Sequence, residues 1–148
     1  MTAVQALLIP VGDDLCAIPM DWVLEVVAAP TLSRLVTAPP AVIGLFNLRG
    51  QIVPLLDTAA LLGTGTVERA AFAVVVNFSQ GPAGLAATAF PERGLLDAPA
   101  GPSELPGTAG LYRIGQRVAL LLDVEAMMTP ERLGAVEPRV DLMTAGAG

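Results

Sequence analysis

Two stretches of this chain, 66 positions apart, read as copies of each other. The first is Gly44-Leu45-Phe46-Asn47-Leu48-Arg49-Gly50-Gln51-Ile52-Val53-Pro54-Leu55-Leu56-Asp57. The second is Gly110-Leu111-Tyr112-Arg113-Ile114-Gly115-Gln116-Arg117-Val118-Ala119-Leu120-Leu121-Leu122-Asp123, with one residue lost in the turn and one regained after it. Each copy runs on into a short apolar segment, Ala60-Leu61-Leu62 and Ala126-Met127-Met128, and Glu25 earlier in the first half answers Glu92 in the second. The alternative is a chance likeness between two hairpins rich in Leu and Val. An internal repeat of this kind predicts two similar units. Units of about 60 residues are marginal alone, so the expectation is two small barrels sharing one core as a single folding unit.

The punctuation of the chain agrees. Fifteen Gly and thirteen Pro are spread along 148 residues, and the apolar runs between them are short and rich in Val, Leu and Ile. Such runs read as strands. They fall at Gln5–Val11, Leu15–Pro19, Leu24–Ala28, Ile43–Leu48 and Ile52–Asp57, and again at Phe72–Phe78, Gly84–Thr88, Arg93–Leu96, Leu111–Ile114 and Arg117–Asp123. The predicted fold is all-β: two five-stranded barrels with short helices at Met20–Val23, Thr58–Leu62 and Val124–Met128. Hairpin turns are expected at Gly12-Asp13-Asp14 and within Gln80–Gly84, and a loop over Asp97–Gly107. The first unit spans about 5–65 and the second about 70–128. A polar tail follows over 129–148, expected to fray.

Composition excludes several chemistries. The chain has no His, no Lys and one Cys, and its net charge is −6. A Ser-His-Asp or Cys-His pair needs an imidazole, and a Walker loop or a Schiff base needs a lysine. One thiol makes neither an intrachain disulfide nor a thiolate zinc site. The Gly-rich stretches Gly63–Thr66 and Gly81–Gly84 do not form a dinucleotide fingerprint. No enzyme activity, cofactor or metal is expected. An acidic chain without a basic cluster is a poor match for nucleic acid. The longest unbroken apolar stretches, Ala70–Val76 and Val118–Leu122, fall far short of the roughly 20 residues of a membrane span, and the N-terminus lacks a signal peptide's basic start. The expected location is the cytoplasm, without direct membrane insertion.

Four features remain. Asn47-Leu48-Arg49-Gly50 reads as a turn of defined geometry, with Gly44 and Pro54 flanking it in the repeat, and a charged residue sits inside it. Glu25 is a lone carboxylate in the apolar strand Val23-Leu24-Glu25-Val26-Val27. It either faces solvent or pairs internally with Arg49, whose guanidinium can hold a carboxylate through two parallel hydrogen bonds. Asp57 and Asp123 each stand between a strand and a short helix, where N-capping suffices as an explanation. Cys16, in Leu15-Cys16-Ala17-Ile18, reads as an inert buried thiol.

These residues resemble the CheW-like domain family, the coupling modules of bacterial chemotaxis. The likeness begins at Leu15-Cys16-Ala17-Ile18-Pro19, continues through Val23-Leu24-Glu25-Val26 and Pro39-Pro40, is strongest over Gly44–Asp57, and closes at Leu120-Leu121-Leu122-Asp123-Val124-Glu125. The resemblance implies two SH3-like barrels around a joint core and pairing of Glu25 with Arg49. It implies a non-enzymatic adaptor, associated with receptor arrays, that links the cytoplasmic tips of chemoreceptors to the regulatory domain of a CheA-type histidine kinase. It also implies a receptor groove, for which Val23, Glu25, Val27, Arg49 and Leu85 are the candidates, and a kinase face, for which Thr31, Leu32, Arg34 and Leu35 are. A related module in pilus or gliding control, regulatory or ligand-binding, would look similar. The chain departs from many relatives at Ala87-Thr88 and over Phe90–Gly94.

Overall fold

The computed structural model describes residues 3–129. The tail expectation, past residue 129, lies outside the described residues. Among the described residues eleven strands are formed: β1 (Val4–Val11), β2 (Asp14–Pro19), β3 (Val23–Ala28), β4 (Val42–Leu48), β5 (Gln51–Leu56), β6 (Phe72–Phe78), β7 (Gly81–Ala87), β8 (Glu92–Leu96), β9 (Pro99–Gly101), β10 (Thr108–Ile114) and β11 (Arg117–Leu122). Two short helices, α1 (Thr58–Leu62) and α2 (Val124–Met127), follow β5 and β11, and a 3-10 turn at Met20–Trp22 joins β2 to β3. None of the described helices is long and apolar enough to cross a membrane.

The strands form two sheets, in the orders β8-β1-β2-β11-β10-β9 and β3-β6-β7-β5-β4. The repeat is visible in both. Hairpin β4–β5 joins β7 through a parallel pairing, Leu55 opposite Gly84, and hairpin β10–β11 joins β2 the same way, Ala119 opposite Leu15. The outer strands also correspond, with β3 antiparallel to β6 and β8 antiparallel to β1. Each sheet therefore takes strands from both halves. The boundary at 65–70 suggested by the repeat does not separate the sheets, because β1–β2 pair with the second copy and β6–β7 with the first.

The interior explains the preference for small apolar residues. Strand β2 is buried on both faces over Leu15–Ile18. Cys16 and Ile18 enter the large core with Ile9, Val53, Leu55, Val74, Leu85, Leu61 and Met127, so this core takes side chains from both sheets and both helices. Leu15 and Ala17 point the other way, into a second cluster with Ala6, Leu96 and Ala119. β2 is thus a wall between two cores, and three alanines let the smaller one close.

The differences from the sequence reading concern proline and glycine. β7 starts at Gly81 rather than Gly84, with the turn moved to Ser79-Gln80. Pro82 is tolerated because β7 meets β5 only from Gly84 onward, leaving β6 as its single neighbour there. β9 lies inside the expected loop 97–107. It is a three-residue, fully exposed edge strand paired to β10, so no apolar alternation marks it. Pro54 is accommodated inside β5 for a separate reason. Its partner Leu45 turns its N–H and C=O toward Ser33, making the Leu45–Pro54 pair a non-hydrogen-bonded one.

Candidate functional site

The tip of hairpin β4–β5 is a two-residue loop, Arg49-Gly50, closed by the pair Leu48–Gln51. Both loop residues have positive φ, 52° and 88°, as a type I′ turn requires. The Asn47 side-chain carbonyl accepts from the Gly50 N–H at 2.8 Å and locks the turn. Held in this way, Arg49 extends its fork onto Glu25 of β3. Nη1 donates to Oε2 at 2.6 Å and Nη2 to Oε1 at 2.8 Å. This is the one salt bridge among the described residues, and it ties the first strand of its sheet to the hairpin at the opposite end.

The pair is not internal. The Arg49 side chain is 76% exposed and that of Glu25 25%. Val23, Glu25 and Val27 share the half-buried face of β3, and Leu24 and Val26 face out. The carboxylate is therefore shielded on its strand side and reached by the guanidinium from the solvent side. A surface location removes the large penalty for stranding a buried carboxylate, so this clasp contributes little to stability.

Exposed apolar side chains surround the clasp. Leu24 and Val26 lie on β3, and Ile52, 60% exposed, lies one residue beyond the turn. A depression of about 400 Å³ holds Leu24, Glu25, Leu48, Arg49, Gln51 and Pro82. Beyond Ile52 a groove of about 690 Å³ runs past Val27, Pro30, Thr31, Ser33 and Phe46. Its wall is the 31–35 loop. Ser33 and Leu45 exchange two backbone hydrogen bonds of 2.8 Å, pinning this loop to β4. Gly44 permits the approach, since a Cβ there would meet the Ser33 carbonyl oxygen at 3.0 Å and the Leu32 Cβ at 3.2 Å. Thr31, Arg34 and Leu35 are exposed, and Leu32 is half-buried and packs on the core.

Leu85 does not belong to this surface. It lies on β7 between Val74 and Leu56 and is wholly buried in the joint core. A groove role for it is corrected, because its strand is central in the sheet and its side chain points inward. Sequence reasoning missed Leu24, Val26, Ile52 and the fully exposed Val36. The signal available was phase: with Glu25 on the same side as Val23 and Val27, strand alternation sends Leu24 and Val26 outward.

Asp57, Asp123 and Thr88 have structural partners. The Asp57 carboxylate accepts from the Ala60 N–H and from the Val67 N–H, and Asp123 accepts from the Ala126 N–H. Burial, and then the charge of Asp14, push the Cys16 thiol up to about 12, leaving it protonated and unreactive. Thr88, a departure noted above, accepts from the Gly12 N–H and donates to the Pro10 carbonyl, fastening the β1–β2 hairpin to the end of β7. No group of three or more metal-ligating side chains occurs among the described residues.

Residues 5–132 match the model of the CheW-like domain. Among solved structures, the chain is similar to the scaffolding protein TtCheW from Thermoanaerobacter tengcongensis, with a TM-score of 0.72 at 18% identity, covering 85% of this chain and 92% of that one. No curated protein matches the sequence.

Proposed function

The chain belongs to the CheW-like domain family, and from that membership we propose that it is a non-enzymatic cytoplasmic adaptor coupling chemoreceptor tips to the regulatory domain of a CheA-type histidine kinase. The observation that carries this is the exposed Glu25–Arg49 clasp set among Leu24, Val26 and Ile52. A bidentate ion pair on a surface adds little to folding, and so does an exposed Leu or Ile. Together they have the makeup of a docking surface, apolar contact area around an oriented arginine. Val23, Glu25, Val27 and Arg49 contribute to the receptor side, and Thr31, Arg34 and Leu35, with Leu32 as their anchor, to the kinase side. The repeat supports a further step: two similar barrels with different ends allow head-to-tail contacts between homologous modules, which close into rings.

The test is binding of the purified chain to a CheA-type regulatory domain and to a receptor-tip fragment, each by calorimetry. Arg49→Glu is expected to weaken binding to at least one partner tenfold or more while the melting temperature stays within a few degrees. Unchanged affinities for both partners in Arg49→Glu and Ile52→Glu would refute this surface.

A further inference from the structure

The two hairpins of the repeat differ in what covers their outer edge. In the second copy β9 runs antiparallel along β10: Gly101 pairs with Leu111, Pro99 with Tyr112, and the Arg113 N–H donates to the Ala98 carbonyl at 2.8 Å. In the first copy Ser33 pairs with Leu45, the counterpart of Leu111, and the cover stops there. Asn47 is the counterpart of Arg113. Its pair with Ile52 lies two positions from the non-hydrogen-bonded pair Leu45–Pro54, so by alternation its own N–H and C=O also face away from β5. Neither has a backbone partner among the described residues.

The chain ahead of Ser33 explains the gap. Pro30 stands three residues before Ser33, as Ala98 stands three before Gly101. Ala29, with φ 46°, donates its N–H to the Ala71 carbonyl and so prolongs β3. Pro30 then lines the groove of about 690 Å³ instead of accepting from Asn47.

We propose that this open edge receives an extended, uncharged segment of a partner protein. The segment runs antiparallel to β4 and exchanges backbone hydrogen bonds with Asn47, in the place that Ala98 takes at Arg113. A free strand edge is a template for such pairing. The groove's lining carries no charged residue, so a charge brought into it would have no partner. The second copy shows the geometry of the occupant, because the chain itself supplies that strand there. The proposal rests on the repeat and the open edge, and stands apart from the adaptor reading.

The test selects a phage-displayed library of random heptapeptides on the full chain, with neither kinase nor receptor present. Synthetic end-blocked copies of the enriched sequences are then mapped by amide hydrogen exchange. In the free chain the Asn47 amide is expected to exchange at least tenfold faster than that of Arg113. An enriched peptide should slow it at least tenfold, and N-methylation of the peptide residue facing Asn47 should weaken binding by a similar factor. Ala28→Glu, at an exposed position of the groove wall, should weaken binding tenfold, and Leu95→Glu on the other sheet should leave it within twofold. Enrichment of no peptide that protects Asn47 overturns the proposal, as does equal binding by the N-methylated peptide or by Ala28→Glu. Protection of Asn47 in the free chain overturns it as well. The occupant is then the chain's own 29–33 segment where protection is independent of protein concentration, and a second copy where it grows with concentration.

Discussion

Arg49 occupies a backbone conformation, φ 52°, that costs a residue with a side chain roughly 1–2 kcal/mol relative to glycine. The exposed clasp returns only about 0.2–1 kcal/mol. Removing the side chain to glycine should therefore relieve the backbone while losing the pair. Arg49→Gly is expected to be about 1 kcal/mol more stable than Arg49→Ala in urea unfolding, with Arg49→Ala less than 1 kcal/mol below the parent chain. A loss of 3–5 kcal/mol in Arg49→Ala would instead indicate a buried pair. Cys16 gives a second residue-scale prediction. Burial, and then the charge of Asp14, push its folded thiol up from the ordinary 9.0 to about 12. Above about pH 9 the unfolded chain releases this proton and the folded chain keeps it, so stability falls as pH rises toward 12, by up to about 1.4 kcal/mol per pH unit. The measurement is urea unfolding of the parent and Cys16→Ala between pH 8 and 11. The difference in slope between them should appear only above about pH 9, and parallel curves throughout would count against it.

At the scale of elements, the two matching helix caps do different work. Asp123 is exposed and accepts from Ala126 alone, and Asp57 is buried and also receives the N–H of Val67, ten residues on. Losing a cap costs about 1 kcal/mol, and leaving a buried N–H unsatisfied adds about 1–3 kcal/mol. Asp57→Ala is expected to destabilise by about 2–4 kcal/mol and Asp123→Ala by about 1, measured by thermal or urea unfolding; equal losses would contradict the second role of Asp57. The capping role was legible in sequence, because an Asp between an apolar strand and an apolar helix has few other uses. The bond to Val67 was not, since it spans a loop whose path depends on tertiary packing. β7 and β9 were misread in part for a related reason. Pro and Gly mark turns only when every neighbouring strand needs their backbone groups, and at Pro82 and Pro99 one side of the strand has no partner to satisfy.

For the whole molecule, the repeat indicated two similar units and a shared core, and nothing in the pattern of apolar residues showed that the halves exchange strands. The same limit explains the candidate site. Glu25 and Arg49 were legible as an unmatched pair of charges, but their exposure depends on how β3 meets the β4–β5 tip, and Leu85 looked like its neighbours until its strand took a central place. Strand exchange has a thermodynamic consequence. A fragment ending at residue 65 keeps hairpins β1–β2 and β4–β5 but loses every described partner of β3, and its two hairpins lose β8, β11 and β7. Isolated hairpins are at best marginal in water, so this fragment is expected to show a coil-like circular dichroism spectrum. In the intact chain β2 walls both cores, so neither sheet can open without exposing the other. Trp22 sits in the turn between the sheets and packs on the joint core, which makes its fluorescence a reporter of that core. Fluorescence and far-ultraviolet circular dichroism are expected to give one urea midpoint, as in a two-state transition. Two separated midpoints, or a folded 1–65 fragment, would show that each half holds itself together and that the exchanged strands are dispensable.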